Sequence, residues 1–329
     1  MNPIISVALC TYNGEKFLEK QLQSILHQSK MIDELWVFDD KSTDSTIQLL
    51  IDFQQKAPFT VRIHQNEKNL GSSKNFENCI KACSGEIIFL CDQDDLWEPN
   101  KVEKQWNYFL ENPQQDAVFS NATMINQSGI PTGVTSFEQI QFVEELQNSW
   151  KDGGAFDILL RGYVVTGATL AIRSKIIPEI FPVPQLIEEL IHDGWISLWL
   201  SMENRIGFLN DPLIRYREHA AQQVGLNGKG EAVTLWDRLT RNRVLKLAKI
   251  EKKYQDSQAL LEYLKDKPQV SKAIIEKLQK RTAHYHMRSS LQANRLKRIL
   301  PVLLATVQGN YQLQDGGKWW HPILGDILE

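Results

Sequence analysis

The sequence predicts an α/β protein: a mostly parallel sheet flanked by helices, with a helical extension at its C-terminal end. Three observations predict it. Short apolar runs alternate with stretches of helical periodicity through the first third of the chain, the pattern of parallel strands joined by right-handed crossovers. Polar residues follow each run, where ligands of such a sheet bind, beyond the carboxyl ends of the strands. Charge also divides the chain: from Val233 onward there are 18 Lys+Arg against 9 Asp+Glu, and before it 19 against 31. With 329 residues, 42% of them hydrophobic, the chain can fill a substantial core in each of two domains, drawn at residues 1–232 and 233–329.

The elements follow in order. "IISVALC" is short, apolar and rich in β-branched residues, a strand. Residues 15–28 place Phe17, Leu18, Leu22, Ile25 and Leu26 on one helical face. "ELWVFDD" is a second strand and "TDSTIQLLIDFQQ" a helix capped near Thr43 or Asp44. "FTVRIHQ" is a third strand, "SSKNFENCIKAC" a helix stopped around Ser84-Gly85, and "EIIFLC" a fourth strand. "PNKVEKQWNYFLE" reads as a helix with Pro99 near its first turn, followed by the strand "AVFS". Residues 126–155 lack periodicity and read as an insertion or mobile loop. "VVTGATLAI" returns to strand. "PQLIEELIHDGWISLWLSM" reads as one helix, or as two broken near Gly194. "RIGFLNDPLIRYREH" holds two short strands around a turn at Asn210-Asp211-Pro212. "GLNGKGE" is a linker. From Leu235 the pattern is helical, with Leu235, Leu239, Ile250, Tyr254, Leu261 and Leu264 in one stripe and Ile274, Leu278 and Leu291 in a later one.

The fourth strand ends in "CDQDD", three aspartates within four positions: Asp92, Asp94 and Asp95. At ~5 Å and an effective dielectric of ~20, each pair repels by roughly 3 kcal/mol. A divalent cation with oxygen ligands, Mg²⁺ or Mn²⁺, offsets that repulsion. A cap for the helix near Pro99 accounts for Asp95 but hardly for all three. The sequence holds no G-x-G-x-x-G or G-x-x-x-x-G-K loop and no G-x-S-x-G elbow. Bound phosphates therefore need a metal to hold their charge, a task for an Asp-x-Asp pair. The four cysteines form no C-x-x-C pair and no zinc pattern, so they read as reduced thiols. No apolar run reaches membrane-span length, and the opening residues run directly into a strand without a basic leader. Both point to a cytoplasmic protein.

"VALCTYNGEKFLEKQLQSILHQ", "VFDDKSTDST", "NLGSSKNF", "FLCDQDDLW", "VTGATLAI", "IHDGW" and "YREHAAQQVG" resemble, in this order, the motifs of family 2 glycosyltransferases. These have the GT-A nucleotide-diphospho-sugar transferase fold, and the likeness is strongest to bacterial rhamnosyltransferases that build cell-surface polysaccharides. The resemblance implies roles. Thr11, Tyr12, Asn13 and Glu15 would line the nucleotide pocket. Asp39 would accept from the imide N–H of uracil or thymine, with Asp40 and Ser42 beside it. Asn69, Gly71 and Lys74 would border base and ribose. Asp92 and Gln93 would face the ribose or donor sugar. Asp94 would hold the metal, joined by His219. Asp193 matches the catalytic base, and Trp195 and Gly167 would form the acceptor pocket, although Trp195 and Trp199 fit core packing equally well. The implied reaction is an inverting transfer from a dTDP- or UDP-sugar, dTDP-L-rhamnose above all, to a growing surface glycan or lipid-linked glycan. Lys41 departs from the family pattern, where many members have Gly, and Gln223 stands where Asn is common.

Residues 281–304 combine Arg281, Arg288, Arg295, Lys297 and Arg298 with Leu291, Leu296, Ile299 and Leu300. Two readings stand: a basic amphipathic helix lying on an anionic membrane, aided by Trp319 and Trp320, or a helical appendage with a solvated basic face. No nucleic-acid-binding motif accompanies the charge.

Overall fold

In the computed structural model of the chain, residues 4–162, 164–188, 190–219, 243–313 and 320–329 are described. They fall into two compact units, one within Met1–Phe156, Tyr163–Pro184 and Leu190–Lys229, the other within Asp157–Gly162, Gln185–Glu189 and Gly230–Glu329. The boundary drawn at residue 232 and the linker "GLNGKGE" lie outside the described residues, as do Leu235 and Leu239.

The first unit begins with four βα steps. They run β1 (Ile5–Thr11), α1 (Leu18–Leu26), β2 (Glu34–Asp39), α2 (Thr46–Gln54), β3 (Thr60–Gln65), α3 (Ser72–Ala82) and β4 (Ile87–Asp92), then β5 (Leu96–Trp97) and α4 (Lys101–Glu111). After these come β6 (Ala117–Ile125), β7 (Pro131–Thr135), α5 (Ser136–Gln139), α6 (Glu144–Ser149), α7 (Ala155–Leu159), β8 (Ala171–Arg173), α8 (Ile177–Ile180), α9 (His192–Ser201) and β9 (Ile206–Arg217). All nine strands form one sheet in the order β3-β2-β1-β4-β8-β6-β9-β5, with β7 beside β6. The first four pair in parallel, and β8 joins the halves in antiparallel register. Every residue of β1 is buried, because strands flank it on both sides and helices cover both faces. The edge strand β3 alternates instead, exposing Thr60 and Arg62. Thr11 lies opposite Asp39, Asp39 opposite Gln65, and Cys10 opposite Asp92. The carboxyl ends of β1, β2 and β4 are thus flush, and their polar tails share one rim. All four cysteines are buried and free, and burial pushes the Cys79 and Cys91 thiols up, so they behave as small hydrophobes.

Four expectations are corrected. Residues 126–155 are no loose loop: they form β7, α5, α6 and a π-helical turn at Trp150–Gly154. Phe119, Phe137, Phe142, Trp150 and Phe208 pack there with ring centroids 5.0–6.4 Å apart. The elements are too short to show a period, and long-range aromatic burial holds them. "VVTGATLAI" is mostly a 3₁₀ turn at Gly167–Thr169, with strand only at Ala171–Arg173. The helix expected from Pro184 starts at His192 and runs unbroken through Gly194. "RIGFLNDPLIRYR" is one strand, not two: beside β6 its register slips between Leu209 and Ile214, so Asn210-Asp211 make a bulge and not a hairpin turn.

In the second unit, α10 (Arg243–Leu264) packs along α11 (Lys272–Ser289), followed by α12 (Arg295–Val307) and α13 (Trp320–Leu328). Ile250, Leu260, Leu264, Ile274, Leu278 and Tyr285 are buried between the first two helices. A second cluster joins Val302, Ala305 and Tyr311. Of the five basic residues read as one exposed face, only Arg295 and Lys297 are exposed. Arg281, Arg288 and Arg298 are buried. Arg288 donates to the Asp326 carboxylate from Nε at 2.6 Å and Nη2 at 3.2 Å, and the Tyr311 hydroxyl donates to it at 2.8 Å. Burial alone would raise the Asp326 carboxyl, but Arg288, Lys246 and Tyr311 hold it below the usual range. Arg298 closes the start of α12 by donating from Nε to the Gln292 carbonyl at 2.6 Å.

Candidate active site

The rim above β1 and β2 is a web of hydrogen bonds. Thr11 Oγ1 donates to Asp39 at 2.9 Å, and Asp39 also accepts from Ser42 N at 2.8 Å, Ser42 Oγ at 2.5 Å and Gln65 Nε2 at 3.1 Å. Asn13, in the left-handed region at φ 47°, donates from its backbone to Ser42 Oγ and accepts from Thr43 N. Glu15 accepts from Ser45 N at 3.0 Å. Tyr12 is exposed, and its backbone exchanges two bonds with the Gln93 amide, at 2.8 and 3.0 Å. Gln93 thereby ties the β4 rim to the β1 rim. Lys41 holds φ 67°, a conformation that favours glycine, and its Nζ reaches the Glu67 carbonyl at 2.7 Å.

Two of these acids are more enclosed than the sequence suggested. Asp39 is fully buried, with all four lone-pair directions engaged. A base N–H reaches it only by displacing one of these donors, the longest being Gln65. Asp40 turns away from the rim and pins the loop 66–71, accepting from Asn66 Nδ2, Leu70 N and Gly71 N at 2.7–2.8 Å. Asn69 Nδ2 donates to the Asp40 backbone carbonyl at 3.4 Å, Gly71 N donates to the Asp40 carboxylate and to Asn69 Oδ1, and Lys74 pairs with Glu77.

The three aspartates after β4 have three different fates. Asp92 ends the strand, and its carboxyl is pushed up to about 8 by burial, then by the charges of Asp94 and Asp193. Asp94 meets His219, whose Nε2 lies 2.8 Å from Oδ2. Asp95 turns inward and accepts the Arg217 backbone N–H at 2.9 Å, locking β9 to this turn; the cap of α4 is at Asn100 instead. Arg217, absent from the expected site, completes the clamp. Its Nε donates to the Asp94 carbonyl at 2.7 Å, and its guanidinium lies 4.6 Å from the Phe17 ring, against which His219 also packs.

Asp193 sits in the first turn of α9, nearly buried. Its Oδ2 accepts from Gly167 N at 2.8 Å and its Oδ1 from Gly194 N at 2.7 Å. Each oxygen retains a lone pair for a proton. Gly167 is a cradle and not an open pocket wall: a Cβ there would lie 3.2 Å from His192 Nε2 and 3.3 Å from Asp193 Oδ2. Trp195 is likewise corrected. Its ring is buried 5.5 Å from Trp199, and Nε1 donates to the Ile180 carbonyl, so it packs the core. His192 stacks on Phe76 at 4.2 Å with neither ring nitrogen hydrogen-bonded, and burial keeps it neutral by lowering its pKa. His192 and Arg217 lie inside the motifs "IHDGW" and "YREHAAQQVG" but carry no role in the sequence reading, because their contacts with Phe76, Phe17 and Asp94 exist only in the fold.

Among the described residues no group of three or more His, Cys, Asp or Glu is arranged to hold a metal unaided. Asp94 offers a carboxylate that suits Mn²⁺ or Mg²⁺ when diphosphate oxygens complete the shell, and the imidazole of His219 beside it favours Mn²⁺ of the two. Three acids crowded at Asp92, Asp94 and Asp193 favour an added cation.

An α/β sheet of this order, with an acid-lined rim and a carboxylate held at a helix start, has the architecture of the GT-A transferases. The profile of glycosyl transferase family 2 matches residues 6–181, more than half of the chain, and the chain belongs to that family. A dTDP-rhamnosyl transferase RfbG from Shigella flexneri is 29% identical over 67% of this chain and 74% of its own length. The UDP-Glc:alpha-D-GlcNAc-diphosphoundecaprenol beta-1,3-glucosyltransferase WfgD of Escherichia coli is 26% identical over 71% of this chain and 84% of its own. Several other relatives are spanned to less than two thirds of their length, as at 58% for a putative teichuronic acid biosynthesis glycosyltransferase TuaG of Bacillus subtilis. Among solved structures, S. aureus TarS 1-349 in complex with UDP-GlcNAc superposes with TM-score 0.55 at 18% identity, over 93% of this chain and 92% of that one. The mannosyltransferase PcManGT from Pyrobaculum calidifontis, in complex with GDP-Man and Mn2+, gives 0.53 at 15%, over 99% and 85%. These likenesses establish the GT-A fold.

Proposed function

We propose that this glycosyltransferase moves L-rhamnose from dTDP-L-rhamnose, with inversion at the anomeric carbon, onto a growing surface glycan carried on a lipid at the cytoplasmic face. The observation that carries the mechanism is the position of Asp193, held by two backbone N–H groups within electrostatic reach of Asp92, which in turn feels Asp94. In this reading Asp193 takes the proton of the acceptor hydroxyl. The oxygen attacks the anomeric carbon from the face opposite the nucleoside diphosphate, and the carbon–phosphate-oxygen bond breaks as the new glycosidic bond forms. One base suffices for such a displacement. Asp94 and His219 would hold a divalent cation, which neutralises charge on the departing diphosphate when bound. Tyr12, Asn13, Ser42 and Lys74 border the base and ribose, and Gln93 orders the rim beside the donor sugar.

The rhamnosyl assignment draws on the RfbG relative; a UDP-sugar donor is the second reading, favoured by the WfgD relative, whose name also places its acceptor on diphosphoundecaprenol. A carboxylate at Asp39 can accept the N3–H of uracil or thymine, and can equally accept the N1–H and 2-amino group of guanine, so the choice of a pyrimidine nucleotide draws on the two relatives. The test is a panel of nucleotide sugars in metal-supplemented transfer and calorimetry. Uridine or thymidine diphosphates should bind more tightly than guanosine diphosphate; a guanine preference would refute the pyrimidine-nucleotide donor. Turnover highest with dTDP-rhamnose supports the first donor, and turnover highest with a UDP-hexose replaces it by the second.

A further inference from the structure

The surface of α12 is inverted relative to an ordinary surface helix. Arg298, Val302 and Ala305 point inward. Leu296, Ile299, Leu300, Leu303, Leu304 and Val307 point outward, with Leu296 76% and Val307 87% exposed. Their spacing of three and four residues makes one continuous apolar stripe over three turns. Single exposed leucines are ordinary, but a contiguous patch on this scale marks a contact surface.

The chemistry around the stripe selects its occupant. Arg295 and Lys297 are exposed at the start of the helix, and the sequence holds no Asp or Glu between Glu276 and Asp315. A second copy would bring the same acid-free stretch and supply no counter-charge from it. Protein hot spots favour Trp, Tyr and Arg, whereas this stripe is wholly aliphatic. Aliphatic side chains rimmed by cations suit the headgroup–acyl boundary of an anionic bilayer. We propose that α12 is a lipid-docking helix, its Leu/Ile/Val stripe inserted among acyl chains and Arg295 and Lys297 set against anionic headgroups. The residues differ from those the sequence suggested, since Arg281, Arg288 and Arg298 are used inside the unit.

The inference rests on this surface alone and is separable from the donor and base assignments. The experiment is flotation of the full chain with vesicles of phosphatidylglycerol in phosphatidylcholine, and with phosphatidylcholine alone. The wild type floats with the anionic vesicles, less so at high salt. In Leu300→Gln/Leu304→Gln, both changes lying on the exposed face, partitioning falls by at least about tenfold, because losing two buried leucines exceeds the ~1.4 kcal/mol that a tenfold change represents. Arg295→Gln/Lys297→Gln weakens flotation at low salt and leaves it nearly unchanged at high salt. Far-UV circular dichroism and thermal melting of both variants match the wild type, which certifies their folding. Failure of the wild type to float overturns the proposal without needing any variant. So does a vesicle-independent dimer, seen by analytical ultracentrifugation, that Leu300→Gln dissociates.

Discussion

The two oxygens of Asp193 each accept one backbone N–H, and Gly167 supplies one of these donors. That makes Gly167 a positioning residue, tested by the smallest possible change. A methyl group at this position enters contacts of 3.2 and 3.3 Å, so Asp193 or His192 must give by a few tenths of an ångström. Gly167→Ala should slow turnover about tenfold, as displaced catalytic groups do, while donor affinity measured by calorimetry stays near wild type. A parallel loss of donor affinity would mean that the 167–169 turn shapes the donor site. The role proposed for Asp193 comes from the family likeness of "HDGW", but its partners were not legible there. Gly167 lies far away in sequence and reaches it only because the 167–169 turn and the start of α9 are set side by side. Trp195 illustrates the converse: an aromatic beside a candidate base invites a sugar-stacking role, and only burial shows that it packs the core.

At the scale of elements, β1 to β4 were legible because each is an apolar run bounded by turn chemistry. The carboxyl-end rim followed from their parallel order. Elements held by distant contacts were not legible. The 126–155 segment depends on rings from β6 and β9, and the β9 bulge depends on a slipped register. The arginines of α11 and α12 read as a surface because their counter-ion, Asp326, lies in α13. This buried cluster yields a stability prediction. Asp326→Asn leaves Arg288 buried without its charge partner, so it should destabilise the helical unit by about 3–5 kcal/mol near neutral pH. The Asp326 carboxyl is lowered in the folded state, so its stabilisation is fully present above the unfolded value of about 3.9 and lost as pH falls through the lower, folded value. In urea melts across pH, the gap between wild type and Asp326→Asn should therefore be widest above about pH 4 and shrink below it. A gap that is constant with pH would show that the ionised carboxylate is not what stabilises the cluster.

For the whole molecule, the fold and the motif order agree on a nucleotide-sugar transferase, and the acids gathered at one rim account for the charge cluster after β4. None of the described helices is long and apolar enough to cross a membrane. Removing divalent cations with a chelator should abolish transfer, and Mn²⁺ or Mg²⁺ should restore it. Asp94→Ala should lose turnover and metal-dependent donor affinity together, because it removes one of two side chains offered to the ion. Full activity in excess chelator would end the metal assignment and leave the base assignment standing.

The central claim is that Asp193 is the base in transfer from a nucleotide sugar, and the most direct measurement takes donor affinity and turnover on one sample of Asp193→Asn. The substitution sets an amide NH₂ against one of two N–H donors, so a melting curve on the same sample checks the fold. The account predicts donor affinity within about twofold of wild type and turnover lower by a factor on the order of 10² to 10⁴, the usual contribution of general-base help. Turnover near the wild-type rate in a folded, donor-binding Asp193→Asn protein would contradict it.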